Sequence, residues 1–455
     1  MQVAVVGGGI SGLAAAYRLT RAGASVTLYE ASGRLGGMIQ TERRGGYLME
    51  AGPDSFLDKP AIREVCRELG LEDQLIRVRP EARRSFIVRG ARPLPIPEGL
   101  YLMAPSAVWP FLRSPTVSWP GKARMLLDLV LPRGSGHSDE SLASFVRRRL
   151  GREALERLAQ PLLGGIYGAD PECLSLAATM PQFLDMERGH GSIIRGLLAR
   201  REQASGARYG LFLSFREGMQ TLVDALAPRA GEVRLNTPVT ELSPLPPRRE
   251  RARVREPGGW AVTAGAEQLE FEQVCLCLPL PEAARLAPTL PLRAMPYSSV
   301  ATINFGFRRS QIRHRLDGAG FVVPAIERRT IMACTFGSEK FEGRAPGDRV
   351  LLRAFAGGML NQEAYSLPDN QLIERSLRDV SDLLDVSGDP EEVWLSRWPD
   401  SMPQYEVGHL DRVAQLEQAL PPALGLAGNA YRGVGIPDCL ASGFSAADRL
   451  LSRVP

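Results

Sequence analysis

Few residues of this chain have the spacing of metal ligands or of a hydrolytic active site. The chain contains only 4 His and 6 Cys in 455 residues, and they do not repeat the intervals that are typical of metal sites. Cys275 and Cys277 lie inside an apolar run, which favours buried free thiols over a metal pair. A Ser/His/Asp triad and a carboxylate pair cannot be recognised either. The sequence therefore predicts no metal site.

Long apolar runs and dense basic stretches are also missing. No apolar run approaches the ~20 residues of a membrane-spanning helix. No block of Lys and Arg interleaved with aromatic residues argues for nucleic acid, and the formal net charge is only +4. The first strand begins at the N-terminus, without the pattern of a signal peptide. We therefore expect a cytoplasmic protein that does not bind nucleic acid, and contact with a membrane surface stays open.

The first 30 residues have the pattern of a dinucleotide-binding unit. A β-branched run at residues 3–6 leads into Gly7, Gly9 and Gly12, which hold the G-x-G-x-x-G spacing before an Ala-rich helix. The first glycine allows the tight turn, the second lets a pyrophosphate approach the backbone, and the third lets helix and strand pack closely. A second strand ends in Glu30, where an acid is expected for a ribose hydroxyl. The alternative is a purely structural turn, but strand, helix and acid together favour a dinucleotide.

The residues after this unit indicate which dinucleotide is bound. Arg34, Gly36 and Gly37 add a second glycine pair just after the acidic end of the strand. This segment resembles the extended signature of the FAD-dependent amine oxidase superfamily, in which a second glycine turn also lies along the cofactor. The resemblance implies FAD, bound non-covalently.

A proline-rich, apolar stretch at residues 93–132 has two interpretations. The first is a helical subdomain that packs on itself. The second is an apolar surface that meets a membrane or a lipophilic substrate. The exposure of the side chains distinguishes the two, and both stay open from the sequence alone.

Two segments near the C-terminus are the most specific in the chain. They are Pro-Gln-Tyr-x-x-Gly-His at residues 403–409 and Gly-Val-Gly-Ile-Pro-Asp-Cys at residues 433–439. With them, the chain resembles the oxygen-dependent protoporphyrinogen oxidase family, including its bacterial coproporphyrinogen-oxidising branch. The other matching stretches, in the family's order, are residues 3–37, 52–56, 165–167, 171–175, 186–188, 192–196, 218–222, 398–409 and 428–439.

The resemblance implies an α/β fold with three parts. These are a Rossmann-like FAD-binding domain of the p-hydroxybenzoate-hydroxylase type, a sheet-based substrate domain and a helical membrane-binding insertion. A chain of 455 residues is long enough for such a division. We predict that residues 1–85, 209–295 and 396–455 form the FAD-binding domain, residues 86–208 the helical insertion, and residues 296–395 the substrate-binding sheet.

The same resemblance implies the residues of the site. The residues expected to contact FAD are Gly7, Gly9, Ser11, Gly12, Glu30, Arg34, Gly36, Gly37, Gly52, Val239, Trp398, Val434, Gly435 and Ile436. The residues expected to contact the substrate are Arg84, Gly165, Phe305, Val322 and Met332.

Two positions depart from the pattern of the family. Many relatives carry a basic residue directly before the aromatic residue near position 86, where it meets a substrate propionate, whereas this chain has Ser85 there and Arg84 one position earlier. Because side chains alternate along a strand, Arg84 could face the other way. The family also usually reads Tyr-Ala-Gly-Asp, whereas this chain reads Tyr-Gly-Ala-Asp at residues 167–170.

The resemblance implies an oxidase of haem biosynthesis. It would oxidise protoporphyrinogen IX to protoporphyrin IX by six electrons, with molecular oxygen as acceptor and hydrogen peroxide as product. Coproporphyrinogen III is the alternative substrate, and an amine oxidase, a desaturase or a non-catalytic flavoprotein are the other hypotheses. Because the cofactor carries the difficult chemistry, we expect no essential acid–base side chain. Contacts with the cytoplasmic face of the inner membrane, the next haem-pathway enzyme or a second copy of the chain stay open.

Overall fold

A parallel five-stranded sheet lies at the centre of the nucleotide-binding part. The structure, a computed structural model, describes residues 1–134, 139–199, 212–246 and 259–452. In spatial order, the strands of this sheet are Glu232–Arg234, Ser25–Tyr29, Gln2–Val6, Gln273–Leu276 and Leu424–Leu426. The first strand of the chain is therefore central, and its residues 3–6 are buried because both faces of the sheet are covered.

Different elements cover the two faces of this sheet. Helices Ile10–Arg21 and Ile436–Leu451 pack on one face and against each other. They approach closely at Gly443, where a Cβ atom would lie 2.2 Å from the carbonyl oxygen of Ser11. The other face packs against helix His409–Ala419 and an antiparallel sheet. The strands of that sheet are Val239–Pro244, Trp260–Ala264 and Glu267–Phe271.

A mixed seven-stranded sheet forms the second layer of the molecule. In spatial order, its strands are Glu392–Pro403, Tyr297–Arg308, Arg349–Gly357, Ile331–Phe336, Gly320–Val322, Phe86–Arg89 and Arg92–Pro95. Helix Asp369–Leu384 packs on one face through Leu372, Val380 and Leu383. The other face is turned toward the nucleotide-binding part, because Thr302 and Asn304 donate hydrogen bonds to backbone carbonyls of residues 51 and 50.

A helical part with its own core lies beside this sheet. Its α-helices are Val108–Arg113, Trp119–Leu126, Leu142–Arg149, Arg152–Ala154, Gln160–Tyr167, Leu176–Thr179, Pro181–His190 and Ile193–Ala199, and a π-helical turn spans Leu155–Ala159. The fully buried Arg149 donates a 2.6 Å hydrogen bond to Asp128, which is also fully buried. Burial makes this ion pair the polar centre of the helical part.

The remaining elements are short and connect these layers. The strands are Thr41–Arg44 with Tyr47–Glu50, Leu100–Tyr101 with Ala104–Pro105, and Phe56–Leu57 with Phe212–Phe215 and Leu75–Arg77. The α-helices are Pro60–Glu68, Gln220–Leu226, Leu280–Leu286, Gly337–Lys340 and Gln362–Tyr365, and 3₁₀ turns span Glu72–Gln74, Pro80–Arg83, Leu127–Leu129, Ala227–Arg229, Arg309–Gln311 and Ala325–Glu327.

The α/β fold class expected from the sequence is confirmed, whereas the domain boundaries stay a prediction. Strands Phe86–Arg89 and Arg92–Pro95 lie in the seven-stranded sheet, and strand Glu392–Pro403 runs across the expected boundary at residue 396. The boundary at residues 208–209 falls outside the described residues. In the part of the chain that the structure describes, no helix is both long and apolar enough to cross a membrane.

Candidate functional site

The glycine-rich turn at the end of the first strand has the form of a phosphate-binding turn. Gly7 has a φ of +106°, and a Cβ atom on Gly12 would lie 1.8 Å from the carbonyl oxygen of Gly7. These two glycines are therefore required for the turn and for close packing. Gly9 caps the N-terminus of helix Ile10–Arg21, and among the described residues, apart from its own chain neighbours, no atom lies within 4 Å of the position of its missing Cβ.

The second glycine pair packs against this turn. Gly36 donates a 2.8 Å hydrogen bond to the carbonyl oxygen of Gly8, and a Cβ atom on Gly37 would lie 3.3 Å from the Cα atom of Gly9. Arg34 holds this second turn, because its guanidinium donates hydrogen bonds to backbone carbonyls of residues 35, 37 and 39. The guanidinium of Arg34 is thus already hydrogen-bonded to the backbone of the chain.

The acidic end of the second strand borders the same turn. Glu30 accepts hydrogen bonds from the backbone N–H of Gly8, at 2.7 Å, and from the backbone and hydroxyl of Ser32. The backbone N–H of residue 237 donates a hydrogen bond to the carbonyl oxygen of Glu30. Val239, two residues further along the chain, is buried. The structure therefore brings Val239 and Glu30 to the same edge of the parallel sheet.

The C-terminal helix closes this region from the other end of the chain. Gly435 caps its N-terminus, and Ile436 is its first residue. Val434 precedes the cap, and its carbonyl accepts from the thiol of Cys439, 3.8 Å away. The N-terminal turns of the first and last helices are neighbours, because Cys439 also interacts with Ser11. Two sets of helix N–H groups are thereby placed together.

These residues fit the pyrophosphate of a dinucleotide. The first N–H groups of an α-helix have no partner within the helix, and its dipole favours an anion there. The open space beside Gly9 lets a phosphate reach these groups. The Cβ atom of any other residue would occupy this space. The residues that would hold FAD are thus those of the two glycine turns, Glu30 and the start of the last helix.

Side chains of the seven-stranded sheet hold the loop at residues 51–54 in place. The indole N–H of Trp398 and the hydroxyl of Thr302 donate to the carbonyl oxygen of residue 51, at 2.9 and 2.6 Å. The guanidinium of Arg353 donates to the carbonyl oxygen of Gly52. In the part of the chain that the structure describes, the Nε atom of Arg353 and the Oδ1 atom of Asn304 are buried without a hydrogen-bond partner.

A buried ion pair fixes the end of this loop. The ammonium of Lys340 lies 3.0 Å from both carboxylate oxygens of Asp54 and 2.9 Å from the hydroxyl of Ser55. Although burial opposes it, Lys340 and Arg353 together hold the pKa of the Asp54 carboxyl well below its usual range. The loop is therefore anchored to the seven-stranded sheet by charge.

Glu50, directly before the loop, is a buried carboxyl group with an unusual pKa. Burial raises the pKa of Glu50 to about 7, against hydrogen bonds from the Met219 N–H and the Thr41 hydroxyl. A raised pKa in the folded state means that the folded protein binds more protons than the unfolded chain between about pH 4.5 and pH 7. The stabilisation is complete below pH 4.5 and is lost as the pH rises through 7.

We expect Glu50→Gln to remove this dependence on pH. In the unaltered protein, the contribution of Glu50 to the free energy of unfolding falls between pH 5 and pH 7.5, because the carboxyl group must ionise in a buried site. Gln cannot ionise, so the variant should not lose this stability. As the pH rises, its free energy of unfolding should therefore increase relative to that of the parent. Urea unfolding at pH 5, 6 and 7.5 measures it. A difference that is constant over this range would contradict the assignment.

A cavity of about 360 Å³ lies between helix Gln160–Tyr167 and the seven-stranded sheet. Gly165 and Met332, both expected from the sequence, line it. Val322 lies next to it, since its Cγ1 atom is 4.0 Å from the position of a Cβ on Gly165. The Gly-Ala order at residues 168–169 has a structural reason here, because Gly168 ends the helix in a left-handed conformation with a φ of +56°.

The cavity adjoins the loop at residues 51–54 through a chain of contacts. A Cβ atom on Gly168 would lie 3.5 Å from Val300, which pairs with Trp398 in the sheet. Trp398 in turn donates its hydrogen bond to the loop. Packed residues therefore connect the wall of the cavity to the loop at residues 51–54.

Two predicted substrate contacts are not brought to this cavity. Phe305 is fully buried in the core under helix Asp369–Leu384. It lies on the opposite face from Thr302 and Asn304, because side chains alternate along the strand. Arg84 is 64% exposed and lies 3.6 Å from Asp317. The structure thus places Phe305 in the core and Arg84 at the surface, away from this cavity, and their contact with a substrate stays a prediction.

Sequence reasoning missed several residues of this region. Arg328, at the edge of the cavity, belongs to no motif that the sequence analysis recognised. The pair between Asp54 and Lys340 joins residues that are 286 positions apart, so spacing gives no signal for it. Asn304 belongs to the strand that the sequence predicted, and its alternation with Phe305 was the available signal.

Comparisons with known proteins cover nearly the whole chain. Residues 10–451 match the family described as flavin containing amine oxidoreductase. A coproporphyrinogen III oxidase of Bacillus subtilis is 35% identical, over 99% of this chain and 98% of that protein. A protoporphyrinogen oxidase of Bos taurus is 31% identical, over 100% and 99%. The crystal structure of a candidate protoporphyrinogen oxidase from Exiguobacterium superposes with a TM-score of 0.87 at 32% identity, covering 99% of both chains.

The two glycine turns and the C-terminal helix cap thus occur in a chain whose relatives match it from end to end. FAD is the cofactor of this chain, and the enzyme is an oxidoreductase. The chain belongs to the flavin containing amine oxidoreductase family.

Proposed function

We propose that this protein is a FAD-dependent oxidase of porphyrinogens that uses molecular oxygen. The observation that carries the proposal is end-to-end similarity to proteins named for the oxidation of coproporphyrinogen III and of protoporphyrinogen. A cavity of about 360 Å³ beside the FAD-side loop supports it. A porphyrinogen is a large, flexible ring with carboxylate side chains, and it suits a partly apolar cavity with cations at its edge.

The proposed reaction removes six electrons from the porphyrinogen in three two-electron steps. Bound FAD would supply the two-electron redox chemistry, with molecular oxygen as the final acceptor and one hydrogen peroxide formed for each pair of electrons. The chain itself binds and orients the substrate. Gly165 and Met332 shape the cavity wall, while the contacts of Trp398, Thr302 and Arg353 hold the loop at residues 51–54 in place.

We propose coproporphyrinogen III as the preferred substrate, although the sequence patterns placed protoporphyrinogen IX first. The greater identity to a coproporphyrinogen III oxidase, 35% against 31%, supports this order. The two substrates differ in their number of propionates, so the cationic edge of the cavity is where they would be distinguished.

The purified holoenzyme should be assayed with both porphyrinogens side by side. Product fluorescence and oxygen consumption report the reaction, and the expected ratio is three molecules of oxygen per molecule of porphyrin. Coproporphyrinogen III should have the higher kcat/KM. A protein with reducible FAD that oxidises neither compound would overturn the proposed function, and a preference for protoporphyrinogen IX would overturn only the order.

We also propose that the helical part contacts a membrane surface from one side. Trp109 and Trp119 are 74% and 68% exposed, and both line one shallow groove. Val130 and Leu127 add further exposed apolar surface nearby in the chain. Exposed aromatic and aliphatic side chains suit the boundary between apolar lipid and its headgroups. Association with the next haem-pathway enzyme and a homodimer stay predictions.

The variant Trp109→Ser/Trp119→Ser should bind anionic lipid vesicles at least about tenfold more weakly, because two side chains no longer bury apolar surface. Co-sedimentation with vesicles measures the loss. The control is Leu269→Ser, which removes an exposed apolar side chain from an antiparallel sheet of the nucleotide-binding part. Equal binding by parent, double variant and control would contradict the proposed contact.

A further inference from the structure

The edge of the cavity carries a cation with no counter-ion. Arg328 lines the cavity and is exposed. Within residues 1–134, 139–199, 212–246 and 259–452, its guanidinium has neither an ion-pair partner nor a hydrogen-bond acceptor. An unpaired guanidinium beside a cavity is available to a planar anion such as a carboxylate.

The charged neighbours of Arg328 in the chain are already paired. Glu327 accepts from the guanidinium of Arg157 and from the backbone N–H of Gly90. Arg329 lies 3.2 Å from Asp379 and 3.0 Å from Asp382. Glu327 on this turn and Asp379 and Asp382 on helix Asp369–Leu384 thus already have partners, and none of them neutralises Arg328.

The backbone at Arg328 is held in an uncommon conformation. Its φ is +54°, in the left-handed region that residues with a Cβ rarely adopt. The 3₁₀ turn Ala325–Glu327 holds it there through the hydrogen bond from the Arg328 N–H to the carbonyl oxygen of residue 325. Such residues persist only where their surroundings fix them, and they are concentrated at ligand-binding sites.

A second donor faces the same cavity. The side-chain oxygen of Gln160 accepts a 2.9 Å hydrogen bond from the N–H of residue 325. The amide nitrogen of Gln160 is therefore left to donate, and the residue lines the cavity. Because this bond joins Gln160 to the turn that carries Arg328, the two donors are held on one support.

One acidic side chain opposes these donors. Glu363 lines the cavity, is exposed and has no ion-pair partner among the described residues. Its charge repels an incoming carboxylate, whereas that of Arg328 attracts it. The two residues therefore provide a pair of substitutions with opposite expected effects.

We propose that Arg328, together with Gln160, is the carboxylate-binding and specificity-determining residue at the edge of the cavity. The inference rests on the proposed function and names the part of the substrate that is recognised there, a propionate of the porphyrinogen. It also assigns to Arg328 the anchoring role that the sequence patterns placed at Arg84. An arginine there favours anionic tetrapyrroles over the cationic substrates of amine oxidases.

The test uses Arg328→Asn in the full-length holoenzyme, because Asn tolerates the left-handed backbone and the variant should fold. We expect the KM for coproporphyrinogen III to rise about tenfold, with kcat changed less than about twofold, as for a lost charge-assisted hydrogen bond. Arg328→Lys should recover part of the loss, and Glu363→Gln should lower the KM about twofold. The control is Arg378→Asn, which removes the same charge from the exposed face of helix Asp369–Leu384.

A binding assay separates failure of the inference from failure of the proposed function. Quenching of coproporphyrin III fluorescence on the oxidised holoenzyme requires no turnover, and Arg328→Asn should weaken it about tenfold while Arg378→Asn leaves it unchanged. Equal affinity of Arg328→Asn and the parent would overturn the role of Arg328, even if the enzyme oxidises porphyrinogens. A parent that binds coproporphyrin III through Arg328 but oxidises no porphyrinogen would instead overturn the proposed function.

Discussion

Gly9→Ala should give a folded protein that no longer holds FAD. Apart from its chain neighbours, the Cβ of an alanine at this position meets no atom of the described residues within 4 Å, and the φ of −69° suits any residue, so the fold itself is not disturbed. The methyl group instead fills the space through which a pyrophosphate reaches the first turn of the helix. We expect the affinity for FAD to fall at least about 100-fold, or roughly 2.8 kcal/mol.

Absorbance of the purified protein and titration with FAD measure this loss. The matched control is Gly189→Ala, at which a Cβ also meets nothing within 4 Å, in helix Pro181–His190. That change should leave FAD bound and stabilise the helix slightly. Gly12→Ala should behave differently from both, because its Cβ would lie 1.8 Å from the carbonyl oxygen of Gly7 and the turn itself must distort. Unaltered FAD affinity in Gly9→Ala would show that the pyrophosphate does not pass this residue.

Asp128→Asn should destabilise the helical part by about 3 kcal/mol, because it removes the nearer of the two carboxylates around the buried cation of Arg149 and leaves only Glu187, 3.4 Å away. Both side chains are fully buried, and Asp128 also accepts hydrogen bonds from Ser192 and from the backbone N–H of Ile194. An amide offers only one acceptor oxygen to these donors. The loss is large because only the more distant carboxylate of Glu187 then balances the buried charge of Arg149.

Urea unfolding followed by tryptophan fluorescence measures this effect, since Trp109 and Trp119 lie in the helical part. Limited proteolysis should show earlier cleavage there. The control is Glu374→Gln, whose partner Arg378 is 66% exposed, so the change should cost less than about 0.5 kcal/mol. A loss below 1 kcal/mol for Asp128→Asn would mean that the buried pair is not the polar centre of the helical part.

The local elements of the site were predictable from the sequence because their signals are short-range. The tight turn at Gly7 and the helix that begins after Gly9 follow from residues within a few positions of each other. The strands expected near residues 300–307, 330–335 and 350–356 occur at Tyr297–Arg308, Ile331–Phe336 and Arg349–Gly357 for the same reason. Period and turn residues suffice for such elements.

The direction of side chains was less predictable, as Phe305 and Arg84 show. The alternation along a strand is fixed, but which face becomes the core depends on the elements that pack against it. Helix Asp369–Leu384 covers the face that carries Phe305, and strand Phe86–Arg89 joins the sheet beside Gly320–Val322. Those neighbours come from distant parts of the chain, so the pattern around either residue does not reveal them.

The sequence by itself determined the nucleotide-binding turn, since its residues are close together in the chain, and the resemblance to a known family implied the cofactor and the α/β fold. Only the tertiary structure decided which cations are neutralised. Asp54 forms an ion pair with Lys340, and Asp128 forms one with Arg149. Arg328 has no ion-pair partner among the described residues. Charge pairing depends on distance in space rather than along the chain, and folding alone sets that distance.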